Sequence, residues 1–373
     1  MAFEDKRTWA EIDLARLEEN YREIRRVLPA GCRFAGLCKA NSYGHGAVQI
    51  ARRLEALGAE YIAVSCYEEA LDLRQSGIGA DILILAPSPA FLAPSVASLG
   101  CTQTIGDIEA AREMSRLLSG TGKTLRCQLK LETGMGRTGF GTGSEAGMAE
   151  ALEALGLPGL DWTGVFTHFA VSDEPGEDFT LGQFERFKSA VARLEEISGR
   201  SLGIKHCANS GAVVNFRQTC LDMVRPGLLL YGLYPGAERG GLDLKPVMSV
   251  KTRVAEITHH HAGDTISYGR TFTCERDMTL AVIPIGYADG LLRCLSGRFS
   301  VNINGHRVRQ VGTICMDMCM VDISGLDDVR TGDIVTVFGD DPGAGELAEK
   351  AGTIAYELLC AVSPRVPRVY LNE

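Results

Sequence analysis

Few side chains in this sequence can do chemistry, and the most suggestive ones stand where short apolar runs give way to loops. The run FAGLC leads into Lys39 within CKANSYGHG, and Tyr43, Gly44, His45 and Gly46 follow closely. Later runs deliver Lys130, His168, the triplet Asn209-Ser210-Gly211, and Arg225 with Gly227. Singly, each has an ordinary reading. A lysine at a strand end is usually a solvated charge, a histidine a satisfied core group, an arginine half of a rim salt bridge. Together they form a chemical set. A lysine held in a partly buried mouth can shed its proton and become an amine nucleophile. The backbone around Ser210-Gly211 and Pro226-Gly227-Leu228 offers N–H groups suited to a phosphate.

These positions matter only if the chain brings them together. From about residue 12 to 240, short apolar runs alternate with amphipathic segments. The runs are FAGLCKA (34–40), YIAVS (61–65), DILILA (81–86), TQTI (102–105), CQLKLE (127–132), WTGVFTH (162–168), IKHCAN (204–209) and MVRPG (223–227). Between them, Leu14, Leu17, Tyr21, Ile24 and Leu28 recur at helical spacing, as do Phe184, Phe187, Val191 and Leu194. Eight near-continuous apolar strands separated by helices predict a parallel sheet. At this length the fold expected is α/β, an eight-stranded β/α (TIM-type) barrel, whose site lies at the C-terminal ends of its strands. No GxGxxG follows the first run, which weakens a dinucleotide-binding fold.

After about residue 240 the texture turns β-rich, with turn residues such as Asn304-Gly305 and one late helical stretch near 345–361. This predicts a C-terminal, mostly antiparallel β domain. The expected division is a barrel over 12–240 and a β domain over 241–373, with residues 1–11 joining the second through a strand in RTWAEIDL. The stretch PGAERGG at 235–241 is the natural boundary.

Composition narrows the partners. With 45% hydrophobic and 23% charged residues the chain is ordinary globular protein rather than disordered. A net charge of −9 without a basic stripe argues against nucleic acid or a membrane surface. The start, MAFEDKRTWAEIDL, lacks the apolar core of a signal peptide. The 12 cysteines are scattered through apolar runs, as reduced thiols of a cytoplasmic protein are. Cys315 and Cys319 have no second ligand pair nearby and read as strand residues, so no metal is expected. His259, His260 and His261 alternate faces, which reads as an exposed approach to a turn.

An amine nucleophile beside phosphate-binding loops meets both demands of a phosphate-bearing aldehyde, and so points to pyridoxal 5'-phosphate. Here the sequence also becomes recognisable. CKANSYGHG, KLETGMGRTGF (130–140), FTHFA (166–170), HCANSGA (206–212), VRPGLLLYG (224–232), ISYGRTF (266–272), IPIGYADG (283–290) and GTICMDMCMVDI (312–323) resemble the blocks of the alanine racemases. They come in family order and span essentially the whole chain. The resemblance implies a pyridoxal-phosphate-dependent isomerase that interconverts L- and D-alanine and supplies D-alanine for peptidoglycan. It further implies a cytoplasmic homodimer whose active site is shared across the interface.

Residue roles follow from the same resemblance. Lys39 would hold the cofactor as a Schiff base and then act as one of two bases. Tyr268, reaching in from the partner, would be the other. Tyr43, Ser210, Gly227, Leu228 and Tyr356 would surround the phosphate, with Asn209 and His168 also on the cofactor side and His168 supporting Arg225. Arg137, Tyr287, Met316 and Asp317 would meet the substrate, the last two from the partner. Lys130 would be able to carry a carbamate that pairs with Arg137. An amine and a phenol both ordinarily titrate near about 10, so each base must be tuned down to work near neutrality. Arg225 keeps its proton, so a ring nitrogen facing it stays unprotonated and the ring is a weaker electron sink.

Ser42 and Cys38 stand where the family commonly has alanine and valine, and neither change removes a catalytic group. The rival readings are a serine or broader-specificity racemase and a non-catalytic barrel that carries the same cofactor. Tyr356 favours alanine over serine, and the β domain with Tyr268 argues against the carrier. His45 is expected to have a structural loop role.

Overall fold

The computed structural model describes residues 5–176 and 178–372, so residues 1–4 of the expected joining segment lie outside the described part. Eight parallel strands curl into a barrel: Arg33–Leu37, Tyr61–Val64, Asp81–Ile84, Thr102–Ile105, Leu125–Glu132, Leu160–Phe166, Ile204–His206 and Met223–Val224. The first seven pair in sequence, each with the next, and the eighth pairs back onto the first. The seam between the seventh and eighth is closed by an Asn209–Arg225 bridge and by bonds from Asp222 N to Lys205 O (3.0 Å) and Arg225 N to Ala208 O (2.9 Å). The eight apolar runs are these eight strands.

Alternation along the strands builds two cores. Ala35, Leu37, Tyr61, Ala63, Leu83, Ile204 and Met223 form one cluster inside the barrel. Phe34, Ile62, Val64, Ile82 and Ile84, from the opposite parity, join the larger core against the surrounding helices. A side chain at Gly36 would stand 2.6 Å from Leu54 on helix Ala47–Ala56, so helix and strand pack at backbone distance there. Helix Leu14–Val27 buries Leu14, Leu17, Tyr21 and Ile24, as its spacing predicts, and is capped by Asp13. It also buries Asn20, which apolar spacing does not reveal. Its amide donates to Leu230 O and Lys245 O and accepts from Lys245 N.

The second sheet has nine strands, all but one of its pairings antiparallel, and includes Thr8–Asp13. That strand lies between Met248–Arg253, antiparallel, and Arg368–Leu371, parallel. The single late helix expected near 345–361 is instead two, Ala344–Ala351 and Ala355–Ala361, divided where Gly352 takes φ +73°. The histidine triplet lies at the end of strand Glu256–His260. Cys319 opens a strand with Cys315 in the preceding loop, and all twelve cysteines are free. Among the described residues no helix is long and apolar enough to cross a membrane.

Candidate active site

At the C-terminal mouth of the barrel lies a cavity of about 1000 Å³, with Lys39 on its wall. The first strand stops at Leu37 and does not run on to Ala40 as its apolar pattern suggested. Beyond it Ala40, Asn41, Ser42 and Tyr43 take φ of +51°, +52°, +55° and +50°. This is a left-handed turn made without glycine, at a cost of roughly 1–2 kcal/mol per residue. Bonds from Ser42 N to Cys38 O (2.9 Å), Gly44 N to Ala40 O (3.0 Å) and Gly46 N to Asn41 O (3.0 Å) hold it. The Glu69 carboxylate ties it to the second strand's end by accepting from Ala40 N (2.6 Å) and Ser65 N (2.7 Å). The result sets Lys39 and Tyr43 together on the cavity wall. Burial first, then the Arg137 charge, push the Lys39 amine below its ordinary value.

Beneath them the strand register builds a polar layer. Lys130 on the fifth strand pairs in register with Phe166, and Phe166 with His206. The Phe166 ring stacks on His206 at 4.8 Å and faces the Arg225 guanidinium, 5.1 Å from its centroid. Arg225 is almost wholly buried, and its Nη1 donates to His206 Nδ1 at 2.5 Å. Its Nη2 donates to Thr167 O (2.9 Å) and Cys207 O (3.2 Å), and sits 3.3 Å from His168 Nδ1. A guanidinium only donates, so His206 accepts through Nδ1 and must donate through Nε2, which meets Gln128 Oε1 at 2.8 Å. Burial lowers Arg225 to about 10, and burial with the Arg225 charge holds His206 and His168 well below the ordinary imidazole value.

His168 is therefore one neighbour of Arg225, while His206 is the closer one. Its role and that of Gln128 were missed from the sequence, although strand alternation through CQLKL and IKHC turns both side chains inward. Lys130, also buried, donates to Thr138 Oγ1 at 2.6 Å. Burial, then Arg137 and Arg225, bring its amine down to about 8.

The far wall is a cradle of hydroxyls. Ser210 Oγ accepts from Gly227 N (2.9 Å) and Leu229 N (3.4 Å). The Gly227 N–H, expected to be open to a phosphate, is thus engaged by Ser210. Asn209 caps the short helix Ser210–Asn215 and accepts from Ser172 Oγ at 2.7 Å. Gly227 must lack a side chain, because a Cβ would fall 2.3 Å from the Tyr43 hydroxyl. The Tyr356 ring lies 5.5 Å from that of Tyr43. Burial raises both phenols, Tyr356 to about 12, so both stay protonated donors. Leu228, His168 and Arg137 also line this cavity.

Tyr268, Tyr287, Met316 and Asp317 lie elsewhere in the chain, on loops of the C-terminal sheet. Tyr268 is 71% exposed and Met316 53%. The four are organised together. Thr313 Oγ1 donates to Tyr268 O (2.9 Å), Tyr287 N to Cys315 O (3.1 Å) and Ala288 N to Met316 O (3.0 Å). Arg365 pairs with both Asp317 (2.7 Å) and the buried Asp289 (2.8 Å).

Fold and site together define a β/α-barrel enzyme built around a half-buried amine, a caged guanidinium and a hydroxyl-lined cradle. Residues 12–235 match the family model described as alanine racemase, N-terminal domain, and residues 247–370 match alanine racemase, C-terminal domain. A protein of Desulfovibrio desulfuricans named alanine racemase is 44% identical, covering 99% of both chains. One of Desulfosudis oleivorans with the same name is 42% identical, covering 99% of this chain and 97% of its own. Among solved structures, alanine racemase from Streptomyces coelicolor superposes with a TM-score of 0.93 at 34% identity over 100% of both chains. That from Bacillus anthracis with bound L-Ala-P gives 0.91 at 34% identity, covering 98% of this chain and 95% of its own. The chain belongs to the alanine racemase family.

Proposed function

We propose that the protein is a racemase that interconverts L- and D-alanine with pyridoxal 5'-phosphate, using Lys39 and a partner's Tyr268 as bases on opposite faces of the substrate. The observation that carries the reading is the convergence in one cavity of a lowered Lys39 amine, the buried Arg225 and the cradle of Tyr43, Ser210 and Tyr356. The donor set fits the cofactor: an amine for its aldehyde, hydroxyls for its phosphate and a guanidinium for its ring nitrogen. When bound, the cofactor withdraws electrons from the substrate and acidifies its α-proton.

The chain's own residues do the rest. Lys39 Nζ, its hold on its proton weakened by burial and the Arg137 charge, takes or returns one on its face. Tyr268 does the same from the other face. Arg225, donor only, would face the cofactor's ring nitrogen and would leave it unprotonated, making the ring a weaker electron sink. Asn209, Gly227, Leu228 and His168 shape the wall that the cofactor lies against. Arg137 and the Met316 backbone receive the substrate carboxylate, with Tyr287 and Asp317 bounding the entry. Lys130 carries a carbamate that turns its repulsion of Arg137 into attraction. A mass increment of one CO2 on the Lys130 peptide reads this directly, and an unmodified peptide from gently handled protein would overturn it.

The same reading divides the chain into a barrel over 12–240 and a β domain over 241–373 joined by residues 1–11, supported by the strand Thr8–Asp13 within the second sheet. It makes the protein a homodimer that supplies D-alanine for peptidoglycan. A cytoplasmic location is supported by twelve free cysteines, eight of them buried. Racemisation of L-alanine and L-serine with and without added cofactor tests the activity. The shared site is tested by mixing Lys39→Ala with Tyr268→Phe, each inactive alone. Heterodimers keep one intact site of two, so about a quarter of wild-type activity should return at equal mixing. No recovery sinks the shared site.

A further inference from the structure

We propose that His45 is a positioning residue for the reaction, locking the left-handed turn Ala40–Tyr43 and so setting both the Lys39 amine and the Tyr43 hydroxyl. This rests on the cofactor-dependent reading above. His45 is wholly buried and is not part of the cavity wall. Its Nδ1 lies 2.8 Å from Ser42 O and 3.0 Å from Tyr43 O. Carbonyls only accept, so Nδ1 carries the proton and the ring is the neutral tautomer with a bare Nε2. That Nε2 is buried without a partner among the described residues. A residue that only filled space would be better apolar, since the orphan nitrogen loses its water for nothing.

What the imidazole gains is hold on the turn. Ser42 O also accepts from His45 N (3.1 Å), so this one residue makes three bonds to the two carbonyls that end the left-handed segment. The ring stacks on Tyr231 at 4.3 Å, and the Tyr231 hydroxyl donates to Leu37 O (2.6 Å), where the first strand stops. Tyr231 also lies against Tyr43, with ring centroids 5.2 Å apart. The chain of contacts therefore runs from the strand end through Tyr231 and His45 to both carbonyls, bracketing Lys39 from either side. From outside, Tyr370 donates to His45 O (3.3 Å) and Arg368 to Gly44 O (2.8 Å). Four non-glycine residues at positive φ need such a lock, because each alone prefers to revert.

The test uses His45→Phe, which keeps a ring against Tyr231 but removes the donor. Measured on the protein as purified, amide exchange across residues 42–46 should speed up by roughly ten- to a hundredfold. The dissociation constant for pyridoxal phosphate should rise by a similar factor. Adding Ser42→Gly should restore much of both, because glycine takes positive φ without the penalty. Unchanged exchange and affinity in His45→Phe overturn the proposal, as does a loss that Ser42→Gly leaves untouched. Where His45→Phe alone does not fold, a folded double variant supports the proposal and an unfolded one overturns it. Wild-type protein that takes up no pyridoxal phosphate refutes the cofactor reading instead, and exchange still decides on the turn.

Discussion

Arg225 shows how one residue imposes its needs on several others. A buried guanidinium must have its donors faced by acceptors, and the two backbone carbonyls beside it are not enough. His206 Nδ1, with His168 Nδ1 farther off, supplies a lone pair only while neutral, so the pairing of Arg225 with His206 is stable in one protonation state. His45 is kept neutral for a different reason: its Nδ1 donates to its carbonyls in either protonation state, and it is burial that disfavours a second proton on Nε2. Burial holds His45 down to about 4, and burial with Arg225 holds His206 well below its ordinary value. In the unfolded chain both titrate near about 6.5, so below that pH the unfolded state binds two protons that the folded state refuses. Stability is then full above about pH 6.5 and falls as the pH drops, by at most about 2.7 kcal/mol per pH unit for the two, with His168 adding in the same direction. A thermal midpoint that falls steadily from about pH 6.5 toward pH 4.5 is expected, and His206→Phe should flatten that slope. A level profile across the range would mean these imidazoles take up protons inside the fold.

The elements differ in how plainly the sequence announces them. The eight barrel strands are legible because strands covered on both faces must be apolar throughout. The turn Ala40–Tyr43 is not, since nothing in KANSY marks positive φ; its cause is tertiary, lying in Glu69, His45 and Tyr231. Likewise Gly352 looks like a tolerable glycine within a helical stretch, and only the structure shows it ending one helix before the next brings Tyr356 to the cavity. Gly44 ties these two elements together. It has φ +79°, and a Cβ there would meet the Leu359 carbonyl oxygen of helix Ala355–Ala361 at 2.4 Å. Gly58 has φ +81° with nothing within 4 Å. Gly58→Ala should therefore cost about 1 kcal/mol in urea denaturation, the backbone penalty alone. Gly44→Ala should cost more than about 2 kcal/mol and weaken cofactor retention, because the Tyr356 helix must retreat. Equal costs at the two sites would show that contact between turn and helix is not what fixes the cradle.

For the whole molecule, the strand Thr8–Asp13 makes the chain's start part of its last sheet, beside Arg368–Leu371, so the C-terminal domain cannot shift without disturbing the helix that follows that strand. Arg368 carries this coupling to the site through Gly44 O. The candidate site itself was half legible: the residues of the barrel mouth follow from strand ends, whereas Tyr268 does not line the Lys39 cavity, and no spacing rule relates it to Lys39. On the homodimer reading, the physical trace of a second chain is an apolar surface. Tyr268, Tyr287, Met316 and Met318 are all more than two-fifths exposed, and Arg365 ties the loops of Asp289 and Asp317 together. Large apolar side chains presented together to water are the kind of patch that a partner covers. On the homodimer reading, Met318→Asp places an unpaired charge in the covered surface, while its backbone carbonyl, bonded to Cys315 N at 2.9 Å, is untouched. Desolvating that charge should raise the dimer dissociation constant by roughly a hundredfold or more. Sedimentation at falling concentration should show monomers appearing as specific activity disappears, with both recovering when the protein is concentrated. A variant that dissociates and keeps full activity would show that each chain completes its own site.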